Sequence, residues 1–279
     1  GLSNFGFRDY GSSVMYETGK IMIVGGSGPP TSSAEVIDLN VASPVWRTVA
    51  PMANARRHLN TTILPDGKVL ATGGSSGGGF DNSAFPVQTA ELWDPTTEAW
   101  TPMASFQTPV YRGYHSTALL LPDGRVLSAG GNGNPSAEIY SPPYLFKGPR
   151  PGVTSAPQNI AYGQTFVVQS PDAASVAQVS WIRLSSVTHA YNMDQRFSRL
   201  AFSPVPDGLS ISAPTNPNVS PPGYYMLFLL NAAGVPSVGS IVRIDDTGNA
   251  RPTVTLTEPG SGAPVTVPTT VALRATAND

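Results

Sequence analysis

The residues of this 279-residue chain best suited to chemistry at neutral pH are its three histidines, and two of them occupy the same place in a repeat. Six residues before Leu64 stands His58, and six before Leu121 stands His115; the matching residue one unit earlier is Tyr10. The third, His189, lies beyond the repeats. A lone histidine is more often a hydrogen-bonded packing residue than a ligand. The shared register is what argues for a site here, because it sets an imidazole or a phenol at one point of three successive units. Cysteine is absent, which excludes disulfides, thiolate zinc sites and cysteine nucleophiles.

The elements that position these residues are read from the repeat itself. Apolar residues, a turn and a second apolar run ending in Gly-Gly occur three times: at 14–26, at 62–74 through Leu64-Pro65-Asp66-Gly67, and at 119–131 through Leu121-Pro122-Asp123-Gly124. After each Gly-Gly come a loop and an Ala-Glu strand, at Ala34-Glu35, Ala90-Glu91 and Ala137-Glu138. In the first two copies a fourth strand follows, with Trp46 or Trp100 and a Pro-Met pair. The period of about 48 to 57 residues is that of kelch repeats, each supplying one four-stranded propeller blade. The glycine pairs read as close-approach architecture near the propeller axis, and the two tryptophans as blade packing.

In an up-and-down blade the turns between first and second strands share one face, and the loops between second and third strands share the other with the blade-to-blade connections. Two loops are enlarged on that second face, at 75–86 and at 104–112. Enlarged loops on a rigid scaffold are the expected place for binding, and His58, His115 and Tyr10 open the innermost strands on the same side.

Near Tyr144 the repeat gives way to Lys147-Gly148-Pro149-Arg150-Pro151-Gly152, a linker composition. Beyond it, short apolar segments at 165–169, 177–184, 199–202, 208–213, 223–230 and 238–244 have the spacing of an immunoglobulin-like sandwich. The expected fold is all-β: a partial kelch-type propeller of about three blades over 1–148, an immunoglobulin-like sandwich over 149–246, and the start of a further small module over 247–279. Gly and Pro number 28 each and charged residues make up only 12%, which suits many short strands. A net charge of −2 with interspersed signs gives no field to attract nucleic acid, and no apolar run is long enough for a spanning helix.

The stretch Tyr111-Arg112-Gly113-Tyr114-His115-Ser116, running on through Leu121-Pro122-Asp123-Gly124-Arg125-Val126, resembles the galactose oxidase and glyoxal oxidase family of copper-radical oxidases. The segments Thr188-His189-Ala190-Tyr191-Asn192-Met193-Asp194-Gln195-Arg196, Pro221-Pro222-Gly223-Tyr224-Tyr225-Met226 and Gly234-Val235-Pro236-Ser237 are similar to that family's C-terminal domain. The resemblance covers about residues 5 to 244 and implies one copper ion bound by Tyr114, His115 and His189, with Tyr114 also catalytic. Two imidazoles and a phenolate suit Cu(II). Adjacent residues of a regular strand point to opposite faces, so Tyr114 and His115 can share a metal only where the backbone is irregular, which Gly113 would permit. Phe80 resembles the aromatic wall of the family's pocket, and His58 is a second candidate for the substrate pocket.

The same resemblance implies that the crosslinked tyrosine–cysteine radical pair and a substrate-contacting arginine come from blades that precede Gly1, leaving the copper ligand set incomplete here. The loop Ser27-Gly28-Pro29-Pro30 departs from the polar contact segment of galactose oxidase. The expectation is therefore a piece of a secreted, extracellular and monomeric oxidase that converts an alcohol, aldehyde or carbohydrate substrate with O2 to give H2O2, inactive in isolation. The alternatives are a non-catalytic propeller that binds carbohydrate or cell-wall polymer, and a kelch interaction protein.

Overall fold

The computed structural model describes residues 3–106, 110–245, 253–260, 262 and 270–278. The first blade is β1 (Ser12–Glu17), β2 (Lys20–Val24), β3 (Ala34–Asp38) and β4 (Arg47–Val49), hydrogen-bonded in that order. The second repeats it with β5 (Asn60–Ile63), β6 (Val69–Thr72), β7 (Thr89–Asp94) and β8 (Ala99–Ser105). Among the described residues the third has three strands, β9 (Ser116–Leu120), β10 (Val126–Gly130) and β11 (Ala137–Tyr140). Residues 107–109 of the enlarged loop before the third blade lie outside the described residues.

Alternation builds each sheet: along β1 the residues Ser12, Val14 and Tyr16 are buried while Ser13 and Met15 are half-exposed. Tyr16 of the first blade meets Trp93 of the second edge to face at 4.9 Å, so neighbouring blades lock through aromatic rings. Trp93 is the fully buried tryptophan of the blades. Trp100 packs against the blade core as expected though only partly buried, and Trp46 is half-buried, so the deepest burial falls to Trp93.

The sandwich has a five-stranded sheet and a three-stranded one. In chain order its strands are β12 (Asn159–Ala161), β13 (Thr165–Gln169), β14 (Val176–Arg183), β15 (Val187–Thr188), β16 (Tyr191–Asn192), β17 (Phe197–Arg199), β18 (Phe202–Val205), β19 (Gly208–Ser212), β20 (Gly223–Asn231) and β21 (Ser240–Asp245). The larger sheet runs β12-β21-β20-β14-β17 and the smaller β13-β19-β18. The expected strand at 199–202 is instead a corner, where the chain leaves β17 in one sheet and enters β18 in the other around buried Leu200. A last hairpin pairs β22 (Thr253–Glu258) with β23 (Arg274–Asn278); the remainder of the module expected over 247–279 lies outside the described residues, apart from 259, 260, 262 and 270–273.

β20 explains why its sequence reads as a continuous apolar run. Tyr225, Leu227 and Leu229 point into the sandwich core, whereas Met226, Phe228 and Leu230 join the apolar cluster of the blades together with Ile182 and Phe197. A strand covered on both faces has no polar side to show. The docked face carries the first-to-second-strand turns: Ser180 Oγ donates to Pro65 O at 2.6 Å, Gly239 N–H to Pro122 O at 2.7 Å, and the Phe197 ring lies over Gly67, where a methyl group would come within 3.1 Å of it.

Candidate metal centre

Each blade carries the same clamp just before its innermost strand. An arginine four residues ahead of the strand pairs with the glutamate of the Ala-Glu motif: Arg8 with Glu35 at 2.7 Å, Arg56 with Glu91 at 2.5 Å and Arg112 with Glu138 at 3.3 Å. Each guanidinium also donates to the carbonyl of the first glycine of its Gly-Gly pair, Gly25, Gly73 or Gly130, at 3.0 to 3.2 Å. Sequence reading saw the glutamates recur but gave them no partner. The arginines recur too, eight residues ahead of Tyr16 and of Leu64 and nine ahead of Leu121.

Those clamps hold three strained residues in register. Tyr10, His58 and His115 all adopt left-handed backbone conformations, with φ of 52°, 59° and 64°. A side chain other than glycine in this region costs roughly 1–2 kcal/mol, so the fold holds these rings at the heads of the strands against a local preference. Backbone bonds from the residue after each Gly-Gly define the equivalence one step earlier: Ser27 N–H donates to Asp9 O, Ser75 N–H to Arg57 O and Asn132 N–H to Tyr114 O. Tyr114 therefore stands where the other blades have Asp9 and Arg57, which are ion-paired to each other.

Between the clamp arginine and the left-handed residue the third blade has one residue more, and that residue is Gly113. The backbone irregularity expected at Gly113 lies instead at His115. Gly113 is needed because the Tyr111 ring crosses directly over it and would overlap any side chain there. Turning the backbone at His115 lets its ring stack on the neighbouring Tyr114, with centroids 3.8 Å apart.

His189 arrives from the sandwich on the tip of the β15–β16 hairpin. His189 and Ala190 both have positive φ, 52° and 71°, as a two-residue hairpin turn of the primed type requires. Neither residue favours that turn, so the sequence signals only a loop. The hairpin is held along the inner strands by a ladder of polar bonds. Gln195 accepts from Ile63 N–H at 2.8 Å and donates to Ile63 O at 2.9 Å, Asn192 donates to Thr61 O at 3.2 Å, and Ser12 Oγ donates to Ala190 O at 2.5 Å. The ladder climbs from the turn side of the blades to the strand heads, and His189 ends beside His115.

The imidazoles meet there with Nε2 atoms 3.3 Å apart. Their other nitrogens are engaged, His115 Nδ1 with Asn132 Oδ1 at 3.1 Å and His189 Nδ1 with Thr188 Oγ1 at 2.6 Å. Two lone pairs facing one another repel unless a proton or a cation lies between them, and two metal–nitrogen bonds of about 2.0 Å can span this gap. The Tyr114 ring adjoins both, 5.4 Å from that of His189. Among the described residues no three His, Cys, Asp or Glu side chains converge; the groups gathered here are two imidazoles and the ring of a phenol. Soft thiolate metals are disfavoured by this set and Cu(II) suits it.

Tyr10, His58, Phe80 and Tyr114 surround the centre in mutual ring contact at 4.5 to 5.5 Å. Phe80 is half-exposed and forms the outer wall. His58 is buried, and its Nε2 donates to Phe80 O at 2.5 Å, so it anchors the enlarged loop from below. Burial pushes the His58 imidazole below its ordinary value despite that bond, and Arg57 adds to the effect. Asp81 follows Phe80 and accepts from the Tyr111 hydroxyl, Tyr114 N–H and Asn132. Burial works against its ionisation, but these donors prevail and hold its carboxyl below the usual range. Asp81, Asn132 and Arg57 were not singled out in the sequence, and Thr188 entered only as the first residue of the segment that carries His189.

Residues 27–144 match the family described as Glyoxal oxidase N-terminus, and residues 150–244 match the Galactose oxidase-like, Early set domain. The chain belongs to the galactose oxidase and glyoxal oxidase family. It is 33% identical to a galactose oxidase of Gibberella zeae over 84% of its own length and 37% of that protein's, and 33% identical to the aldehyde oxidase GLOX of Vitis pseudoreticulata over 86% and 54%. A fungal alcohol oxidase solved in complex with copper superimposes with a TM-score of 0.78 at 32% identity, covering 85% of this chain and 54% of that one. The chain thus spans between about a third and about half the length of these family members.

Proposed function

We propose that this chain provides copper-binding residues of a copper-radical oxidase that acts on a primary alcohol or aldehyde. The observation that carries the reading is the meeting of His115 and His189 Nε2, from two different domains, beside the Tyr114 phenol. The named family members are galactose, aldehyde and alcohol oxidases, and the solved alcohol oxidase holds copper, which supports the same assignment. For an alcohol the overall change is RCH2OH + O2 → RCHO + H2O2, a two-electron oxidation, and copper when bound supplies part of that redox capacity.

The chain's own residues have distinct tasks in this reading. His115 and His189 present nitrogen donors, and Tyr114 presents oxygen, which as a phenolate can also accept a substrate hydroxyl proton. The rings of Phe80 and Tyr10 form a wall on one side of the centre that suits the hydrocarbon face of a small alcohol, aldehyde or sugar. His58 supports that wall through the Phe80 carbonyl rather than by touching the metal. The proposal includes a secreted protein, tested by recovery of the tagged full-length product from culture medium.

Titration of the chain with Cu(II), read by electron paramagnetic resonance, tests the centre. His115→Ala and His189→Ala are each expected to weaken binding at least 100-fold, while His58→Ala stays within about threefold of the parent (1.4 kcal/mol being tenfold). Unchanged copper binding in both alanine variants would remove the proposal.

A further inference from the structure

We propose that Asp81 is a positioning residue for His115, acting through Asn132, and that this two-link relay decides which imidazole nitrogen is free to take a metal. The inference rests on the metal reading of the same site.

The chain of reasoning starts from what each group can do. A carboxylate only accepts, so whatever Asn132 presents to Asp81 Oδ2, 3.1 Å away, must be its NH2. The amide oxygen is then turned the other way, onto His115 Nδ1 at 3.1 Å. An amide oxygen also only accepts, so Nδ1 carries the proton and, in the neutral ring, Nε2 keeps its lone pair. That is the atom facing His189.

Without the carboxylate the amide can turn over and offer NH2 to Nδ1. The ring proton would then sit on Nε2, where a metal must displace it. Partners of this kind on the distal nitrogen of a ligating histidine orient the ring and sharpen metal affinity. Asp81 does a second thing at the same time: its Oδ1 accepts from Tyr114 N–H at 3.2 Å, so one carboxylate steadies both neighbouring residues of the Tyr-His pair. The enlarged 75–86 loop of the second blade is thereby given a task inside the third blade's site.

The test uses the whole chain, labelled with 15N in its histidines, and Cu(II) alone as probe. In the metal-free parent the His115 ring is expected to be protonated at Nδ1. Asp81→Asn and Asn132→Ala should both lose that preference and bind Cu(II) roughly 10–100-fold more weakly. Asn132 is exposed, so its alanine variant keeps the fold even if the Asp81 variant does not. Tyr111→Phe removes the other side-chain donor to Asp81 and should leave both readouts unchanged.

An unaltered tautomer in Asn132→Ala, or a copper affinity within twofold of the parent, would overturn the relay. So would an equal loss in Tyr111→Phe, since loop anchoring and not amide orientation would then be at stake. Failure of the parent to bind copper would instead count against the metal reading, and the tautomer of the metal-free chain would still decide the relay.

Discussion

In the second blade Arg56 is followed by Arg57 and His58; in the third, Arg112 is followed by Gly113, Tyr114 and His115. Both blades have the clamp to glutamate, the bond to the first glycine of the pair and the left-handed histidine at the head of the inner strand. One histidine is buried with its Nε2 tied to a carbonyl, and the other is exposed with its Nε2 turned to a partner from the sandwich. The difference teaches that the site arises from a shared scaffold by a small departure: one inserted glycine and a phenol where its neighbours have an ion pair.

The largest expected effect probes the clamp. Arg56→Met leaves the wholly buried Glu91 without its cation and is expected to cost about 3–5 kcal/mol, read from urea unfolding midpoints. Arg112→Met should cost less, because Glu138 keeps 18% of its side chain exposed. Equal losses would break the comparison by showing that solvent access at the third clamp is irrelevant.

Gly113→Ala attacks the inserted residue. The methyl group would force the Tyr111 ring aside, with an expected loss of about 1–3 kcal/mol and weaker copper binding through a displaced Tyr114. If both thermal midpoint and copper affinity match the parent, the insertion is not what sets the phenol.

The first blade sharpens the pattern through pH. Burial of Glu35 opposes ionisation, but Arg8 and the Phe5 and Asn4 N–H groups outweigh it and depress the carboxyl from its usual 4.5. A carboxyl depressed in the fold stabilises it at pH values above the unfolded value, and that contribution disappears as pH falls through the folded one. Glu35→Gln is therefore expected to flatten the fall in melting temperature below about pH 4.5, measured against the parent from pH 3 to 6. Parallel curves would show that the clamp is not a source of acid sensitivity.

The smallest effect concerns the hairpin. Ala190→Gly relieves a left-handed alanine and should raise stability by roughly 0.5–1 kcal/mol, leaving the position of His189 and the copper affinity unchanged.

Much of the fold was legible because blades repeat. The Leu-Pro-Asp-Gly turns and the glycine pairs mark strand ends so clearly that β5, β6, β9 and β10 follow from them. At the site, Tyr114, His115, His189, Phe80 and His58 were all singled out and all come together in one ring cluster. The mode of assembly was less legible. His-Ala does not announce a two-residue turn, Asp81 and Asn132 are separated by 51 residues, and the β17–β18 corner places a change of sheet inside what reads as one short strand. In each case the deciding partner is far away along the chain, and local pattern has no access to it.

The buried seam shared by Phe197, Met226 and Phe228 with the blades has a further consequence. Because His115 and His189 sit on opposite sides of that seam, an ion bound to both would act as a rivet between bodies that otherwise cohere through apolar contact and the polar ladder of the hairpin. At a free concentration one hundred times its dissociation constant such a rivet adds about 2.7 kcal/mol to cohesion. Softening the seam, for instance by trimming Phe228, should then be felt first as a shorter residence time of the metal.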